Sequence, residues 1–222
     1  MAAKPKRTAS PGASPVLSMR ANDVAKARRH LMRRDPRLRE LIKRIGPCEL
    51  GNGRGRDPFV ALVRAILSQQ LSGKAADTIY GRVAALAKPL GGLSATAILA
   101  IEPTALRGAG VSGPKISYLR DLASRVVDGT LDLHRLEASP DEDVVTALTA
   151  VKGLGRWSAE MFLMFRLDRP DIFPVADLGI IKGVQMLTGM KRRPKPRTML
   201  RVAEVWRPYR TVAAWYLWRL LD

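Results

Sequence analysis

The stretch from Leu148 to Phe165, LTAVKGLGRWSAEMFLMF, constrains the fold more than any other part of the chain. Two runs with helical apolar spacing flank Lys152-Gly153-Leu154-Gly155-Arg156. Gly153 and Gly155 permit backbone conformations closed to other residues, so the chain can reverse tightly here. Leu154, between them, can anchor the turn in the core. The spacing predicts a helix-hairpin-helix over about residues 144–165. The second helix opens with N–H groups that lack intrahelical partners and point into the turn. Bare glycines let a phosphate approach those groups, and the helix dipole favours its charge. A G-x-G spacing alone also suits an ordinary helix connection, so the surrounding sequence has to decide.

The same helical period runs through most of the chain. From about Ala21, Leu31, Leu38, Leu41, Ile42 and Ile45 repeat at helical spacing, interrupted at Pro36 and ended by Gly46-Pro47. Gly51–Gly55 read as a basic glycine loop. Asp57-Pro58 predicts a capped helix start, and Phe59, Leu62, Val63, Ile66 and Leu67 line one face. That helix stops near Ser68–Gly73, and another follows through Ala75, Ile79, Val83 and Leu86. Helices are further expected at about 94–99, 103–108 and 113–128. Ser139-Pro140-Asp141-Glu142-Asp143 predicts a start with acids set against the positive end of the dipole. No convincing alternating strand occurs. The fold class expected is all-α. Residues 1–20, rich in Ala, Pro, Ser and Lys, read as a disordered basic tail, and 21–222 as one domain of two lobes.

Charge narrows the partner. The 222 residues carry 38 Lys+Arg against 20 Asp+Glu, a formal net charge of +18. Residues 1–44 hold 13 basic and 3 acidic residues, a net of +10, and a second cluster comprises Lys191, Arg192, Arg193, Lys195, Arg197 and Arg201. Such an excess favours a polyanion, most simply nucleic acid. An apolar content of 46% excludes a disordered chain. No apolar run is long enough to span a membrane, and the N-terminus shows no secretory signal. One cysteine, Cys48, excludes an intrachain disulfide framework and a four-cysteine metal site. The expectation is an intracellular monomer with no membrane partner. His30 and His134 form no metal or triad constellation, and each reads as a surface residue.

Beyond the hairpin come Asp168-Arg169-Pro170-Asp171-Ile172-Phe173-Pro174-Val175-Ala176-Asp177 and the helix opening at Leu178. The run GLGRWSAEMF…DIFPVADLGI resembles the helix-hairpin-helix DNA glycosylase superfamily. AILSQQLSGKAADTIYGRV (residues 65–83) and WRPYRTVAAWYLWRL (206–220) resemble its alkylated-base branch, 3-methyladenine DNA glycosylase II, in compact form. The resemblance covers about residues 30–220. It implies a two-lobe helical domain that hydrolyses the N-glycosidic bond of alkylated bases such as 3-methyladenine in duplex DNA. Other damaged bases (uracil, hypoxanthine, an etheno adduct) and a non-catalytic DNA-binding module are the alternatives.

The resemblance also implies roles. Asp177 is the catalytic carboxylate, although an Asp before a helix is equally read as its cap, and one side chain can do both. Asp171 is the weaker candidate and reads as a loop residue. Trp157, Met161 and Trp218 form the base pocket. Met161 replaces an aromatic of the family. A cationic alkylated base suits indole faces, an attraction of roughly 0.5–2 kcal/mol. Trp206 and Trp215 are expected in the core instead. In superfamily members that also nick the backbone, a lysine stands where this chain has Trp157, so no AP-lyase activity is expected. Lys152 precedes the turn and is no equivalent. Gln70 or Leu71 fills the space left by the extruded base: Leu71 as the apolar wedge, Gln70 as a partner for the orphaned base. Lys152, Gly153, Gly155 and Arg156, with Gly113 and Lys115 from the loop Gly108–Lys115, are expected at DNA phosphates. No cofactor is expected. No side-chain metal site is expected either, and the family implies a monovalent cation held by the hairpin backbone.

Overall fold

A computed structural model describes residues 19, 21–51 and 57–222. The expected basic tail, apart from Met19, and most of the Gly51–Gly55 loop lie outside the described residues. Met19 itself departs from the tail reading. Its side chain is buried, and its N–H donates to the Asp168 carbonyl at 2.8 Å.

Among the described residues there are thirteen α-helices and no strand. The chain opens with α1 (Ala21–Arg34) and α2 (Pro36–Ile45). They are split where the sequence places the break: Asp35 caps α2 and Pro36 takes its first position, where a missing N–H costs nothing. These two pack with α11 (Leu178–Thr188) and α13 (Arg210–Arg219), so both ends of the chain build one lobe, completed by α12 (Pro196–Ala203). The segment between them builds the second lobe. It holds α3 (Pro58–Ser68), α4 (Gly73–Ala87), α5 (Ala95–Ala100), α6 (Pro103–Gly108) and α7 (Gly113–Val127). The short α8 (Leu133–Leu136) and the pair α9 (Asp141–Thr149) and α10 (Arg156–Phe165) close it.

One continuous apolar core runs through both lobes, from Leu31 and Leu38 to Leu62, Leu119, Leu148, Ile180 and Leu217. Trp206 and Trp215 belong to it, as the sequence suggests, with Trp206 wholly buried. The expected starts of α3 and α9 are present, with α9 opening at Asp141 behind Pro140 and its three acids in the first turn. The four-residue α8 and the basic α12 have too few apolar repeats to be read in advance. His30 departs from its surface reading: it is half-buried, edge-on to Tyr209 with ring centroids 5.3 Å apart, whereas His134 is exposed.

The loop 166–177 joins the lobes and sets the position of α11. Arg169 donates to the carbonyls of Glu137 and Ser139, each at 3.0 Å. The Thr211 hydroxyl accepts from the Ile172 N–H at 2.9 Å and donates to the Arg169 carbonyl at 2.6 Å. Asp171 accepts from Arg207 and Arg210, each at 2.7 Å, and so anchors the loop to the start of α13. That explains Asp171 without any chemistry.

Candidate active site

Asp177 ends this loop and caps α11. Its Oδ1 accepts the Ile180 N–H at 2.8 Å, satisfying one of the unpaired donors of the first turn. The same oxygen accepts the Trp218 indole N–H at 2.9 Å. Oδ2 accepts the Trp157 indole N–H at 2.8 Å. The carboxylate is thus held on three sides by donors of no formal charge. Three separated segments of sequence supply them: the hairpin helix α10, the cap of α11 and the C-terminal α13. One Asp177 oxygen closes the helix, and the other takes only the Trp157 indole N–H among the described residues.

Close helix approach makes this arrangement possible. A Cβ on Gly179 would lie 2.7 Å from Trp218 Cδ1, so only glycine lets that indole reach Asp177. One turn on, a Cβ at Gly183 would lie 2.8 Å from the Leu217 carbonyl oxygen. The small-residue spacing Gly179-x-x-x-Gly183 sits in the sequence as the signal for this approach, unread until α13 is known to lie there.

The cleft wall is apolar and aromatic. Trp157, Met161 and Phe165 follow one another at four-residue intervals along one face of α10. Trp157 is 47% exposed, Met161 is half-buried against the core, and Phe165 stacks on Trp218 at 5.8 Å. Leu178, first residue of α11, is 70% exposed beside Asp177. A carboxylate between one exposed indole, Trp157, and one half-buried indole, Trp218, fits a cationic aromatic ring attached to a sugar.

The hairpin stands next to it. Gly153 adopts φ +78°, which favours glycine, and the Tyr118 ring presses on it so closely that a Cβ would lie 2.1 Å from Cδ2. Gly155 precedes α10 at its N-terminus. Arg156, expected at a phosphate, donates to the Glu142 carboxylate at 2.6 and 3.1 Å and to Glu160 at 3.3 Å. Burial pushes the Glu160 carboxyl up, although Arg156 opposes it. Lys152 is exposed, and its backbone N–H donates to Asp121 at 2.9 Å. Gly113 opens α7 and is exposed, and Lys115, expected at a phosphate, is half-buried. Its ammonium donates to the carbonyls of Leu67 and Gln69, each at 2.7 Å.

Across a groove of about 590 Å³ from the hairpin, the turn between α3 and α4 carries Gln70 and Leu71. Both side chains are exposed, Leu71 to 41%, so Leu71 does not close a core corner. Gln70 holds the left-handed conformation at φ +56°, uncommon for a residue with a side chain. Among the described residues no group of three or more His, Cys, Asp or Glu is placed to hold a metal ion. A cation at the hairpin would therefore rest on main-chain carbonyls. Val151 fits that use, since its oxygen accepts from Leu154 N at 3.2 Å and keeps a second lone pair.

The site thus combines a helical hairpin, a turn exposing two side chains, and a carboxylate between two indoles. Residues 63–208 match the HhH-GPD superfamily base excision DNA repair protein family, and the chain belongs to it. Within that family it is 32% identical over 198 residues to DNA-3-methyladenine glycosylase 1 of Schizosaccharomyces pombe, covering 88% of this chain and 87% of that one. The solved 3-methyladenine DNA glycosylase of Schizosaccharomyces pombe in complex with abasic DNA superposes with a TM-score of 0.78 at 33% identity, covering 87% and 95% of the two chains. A DNA-3-methyladenine glycosidase from Bacillus halodurans gives 0.77 at 38%, covering 90% of each.

Proposed function

We propose that the protein is a monofunctional DNA glycosylase that hydrolyses the N-glycosidic bond of alkylated bases such as 3-methyladenine in duplex DNA, the first step of base excision repair. The observation that carries the reading is the Asp177 carboxylate, held by the Trp157 and Trp218 indoles at the mouth of an aromatic cleft. The similarity to 3-methyladenine glycosylases over most of the chain supports it.

The backbone N–H groups around Gly153 and Gly155 take a DNA phosphate, aided by the α10 dipole. A cation bound at the hairpin carbonyls would add positive charge beside that phosphate. The Gln70–Leu71 turn enters the stack, and the damaged nucleotide rotates into the cleft, at an unstacking cost of a few kcal/mol. The alkylated ring is cationic and lies against the faces of Trp157 and Trp218. Its charge also makes it a good leaving group, so no general acid is required.

As the C1′–N bond breaks, its electron pair leaves with the base and neutralises it, and positive charge develops on the sugar. The fixed Asp177 carboxylate stabilises that charge and orients a water toward C1′. The water oxygen bonds to C1′, and its proton passes to Asp177 or to solvent. Position 157, where a Schiff-base lysine would stand in a lyase, is an indole. The reaction therefore stops at the abasic site.

The test is incubation with methylated duplex DNA and chromatography of the released bases, with Asp177→Asn alongside. The reading expects 3-methyladenine from the parent only. Release of uracil, hypoxanthine or an etheno base instead would move the substrate class. Binding without release of any base would favour the non-catalytic module. Borohydride trapping with abasic DNA should give no covalent complex.

A further inference from the structure

Lys115, Tyr118 and Asp121 fall at three-residue intervals on one side of α7, and each reaches a part of the DNA-facing surface. Lys115 closes the C-terminus of α3: its ammonium takes the Leu67 and Gln69 carbonyls at 2.7 Å each, groups that α3 itself leaves unpaired. Two of its three N–H donors are thereby committed, and the side chain is half-buried. Burial pushes its ammonium pKa down. Gln69, whose carbonyl Lys115 holds, extends its own amide to the Gly153 carbonyl at 2.8 Å. Tyr118 lies on Gly153, and the Asp121 carboxylate takes the Lys152 N–H at 2.9 Å. The extrusion turn and the phosphate-binding hairpin are therefore bolted to the same helix and, through Gln69, to each other.

We propose that Lys115 and Gln69 are positioning residues that couple the hairpin's grip on the DNA backbone to entry of the Gln70–Leu71 turn into the base stack, and that Lys115 is not a phosphate ligand. The coupling depends on the glycosylase reading for the chemistry after extrusion, but not for extrusion itself. The strain at Gln70 fits the assignment. A left-handed residue persists where its neighbours over-determine it, and the residue before it is fixed at both its carbonyl and its amide. Brace and hairpin together place the turn before DNA arrives.

The test uses the full chain and a duplex carrying a tetrahydrofuran abasic analogue, with 2-aminopurine in the opposite strand reporting turn entry by fluorescence. Lys115→Met and Gln69→Ala should each slow turn entry about tenfold, the scale of one or two lost hydrogen bonds to well-placed carbonyls. Affinity for undamaged duplex and its salt slope should stay at the parent values. Excision from methylated duplex should fall by the same factor as entry. Lys115→Arg, which keeps donors at the α3 end, should recover most of the entry rate. A salt slope lowered by about 0.9 in Lys115→Met, with entry changed only through occupancy, would make Lys115 a phosphate ligand and overturn the proposal. Parent-like entry in both variants would also overturn it. If Lys115→Met does not fold, Gln69→Ala decides alone, since it removes only the link to Gly153. Loss of excision by every form, with the entry pattern as expected, would remove the glycosylase reading and leave the brace standing.

Discussion

Asp35 and Asp177 do the same local job in opposite settings. Each caps a helix, and each accepts an indole N–H: Asp35 from Trp206 at 2.9 Å, Asp177 from Trp157 at 2.8 Å and Trp218 at 2.9 Å. Asp35, however, is buried, and its charge is matched by the Arg37 guanidinium at 2.8 Å. Asp177 stands half-exposed at a cleft, and its three donors carry no formal charge. A carboxylate whose charge is already matched by a guanidinium has less to offer a developing cation. One fixed by neutral dipoles keeps its field for the substrate. The contrast distinguishes a cap whose charge is already matched from one whose charge is left for a substrate, and each half of it can be broken on its own.

The largest effect should come from Asp177→Asn. Asparagine still caps a helix, so the melting midpoint should hardly move, while single-turnover excision falls by about 10³-fold or more, the scale of losing a preorganised electrostatic group. Equal losses of stability and rate would mean that Asp177 is only a cap. Asp35→Ala should do the reverse. It removes a cap, leaves the buried Trp206 N–H without a partner and strands Arg37, so urea unfolding should show a loss of about 2–3 kcal/mol. Excision per folded molecule should stay at the parent value. A specific loss of excision there would undo the division of roles.

How much of this was legible differs between the two carboxylates. Asp177 was readable because a recognisable hairpin and a Pro-bounded loop precede it. Asp35 left a weaker mark: it is an Asp before a proline, and its indole partner lies 171 residues away at Trp206. The helices were readable wherever apolar residues repeat over two turns or more, as in α3, α7 and α9. Contacts set by helix crossing were not, which is why Tyr118 and Gln69 carried no signal and the Gly179-x-x-x-Gly183 spacing could not be assigned a partner. Lys115 and Arg156 show the limit of charge. A basic residue beside a glycine loop reads as a phosphate ligand, and its carbonyl or carboxylate neighbours show only in the fold.

Removing one indole N–H from each carboxylate sharpens the comparison. Trp157→Phe keeps an aromatic face in the cleft but frees Asp177 Oδ2. Single-turnover excision should drop about five- to tenfold, the scale of one hydrogen bond to a charged group, with affinity for abasic duplex unchanged. Trp206→Phe should instead cost roughly 1–3 kcal/mol of stability, with no effect on excision per folded molecule, because a buried carboxylate loses a donor there. If Trp157→Phe weakened abasic-DNA binding as much as it slowed excision, the indole would serve in gripping DNA rather than in holding Asp177.

The smallest effect is in acid. Burial pushes the Asp35 carboxyl up, but hydrogen bonds from the Arg37 side chain, the Trp206 indole and the Arg37 N–H, with the guanidinium charge, outweigh it and hold the group below its ordinary value of 3.8. A carboxyl with a depressed folded pKa binds protons more readily in the unfolded chain. Its share of stability is therefore fully present above the unfolded value and drains away as pH falls toward the folded one. Between pH 7 and pH 5 this share should stay constant. Below about pH 4, the range of an unfolded aspartate, it should shrink. Asp35→Asn should lose less stability than the parent over that acid interval, because it has no such proton to bind. Urea midpoints at pH 7, 5, 4 and 3 measure the difference. Parallel curves for parent and variant below pH 4 would mean that Arg37 and Trp206 do not favour the charged form, and that the Asp35 cap acts by geometry alone.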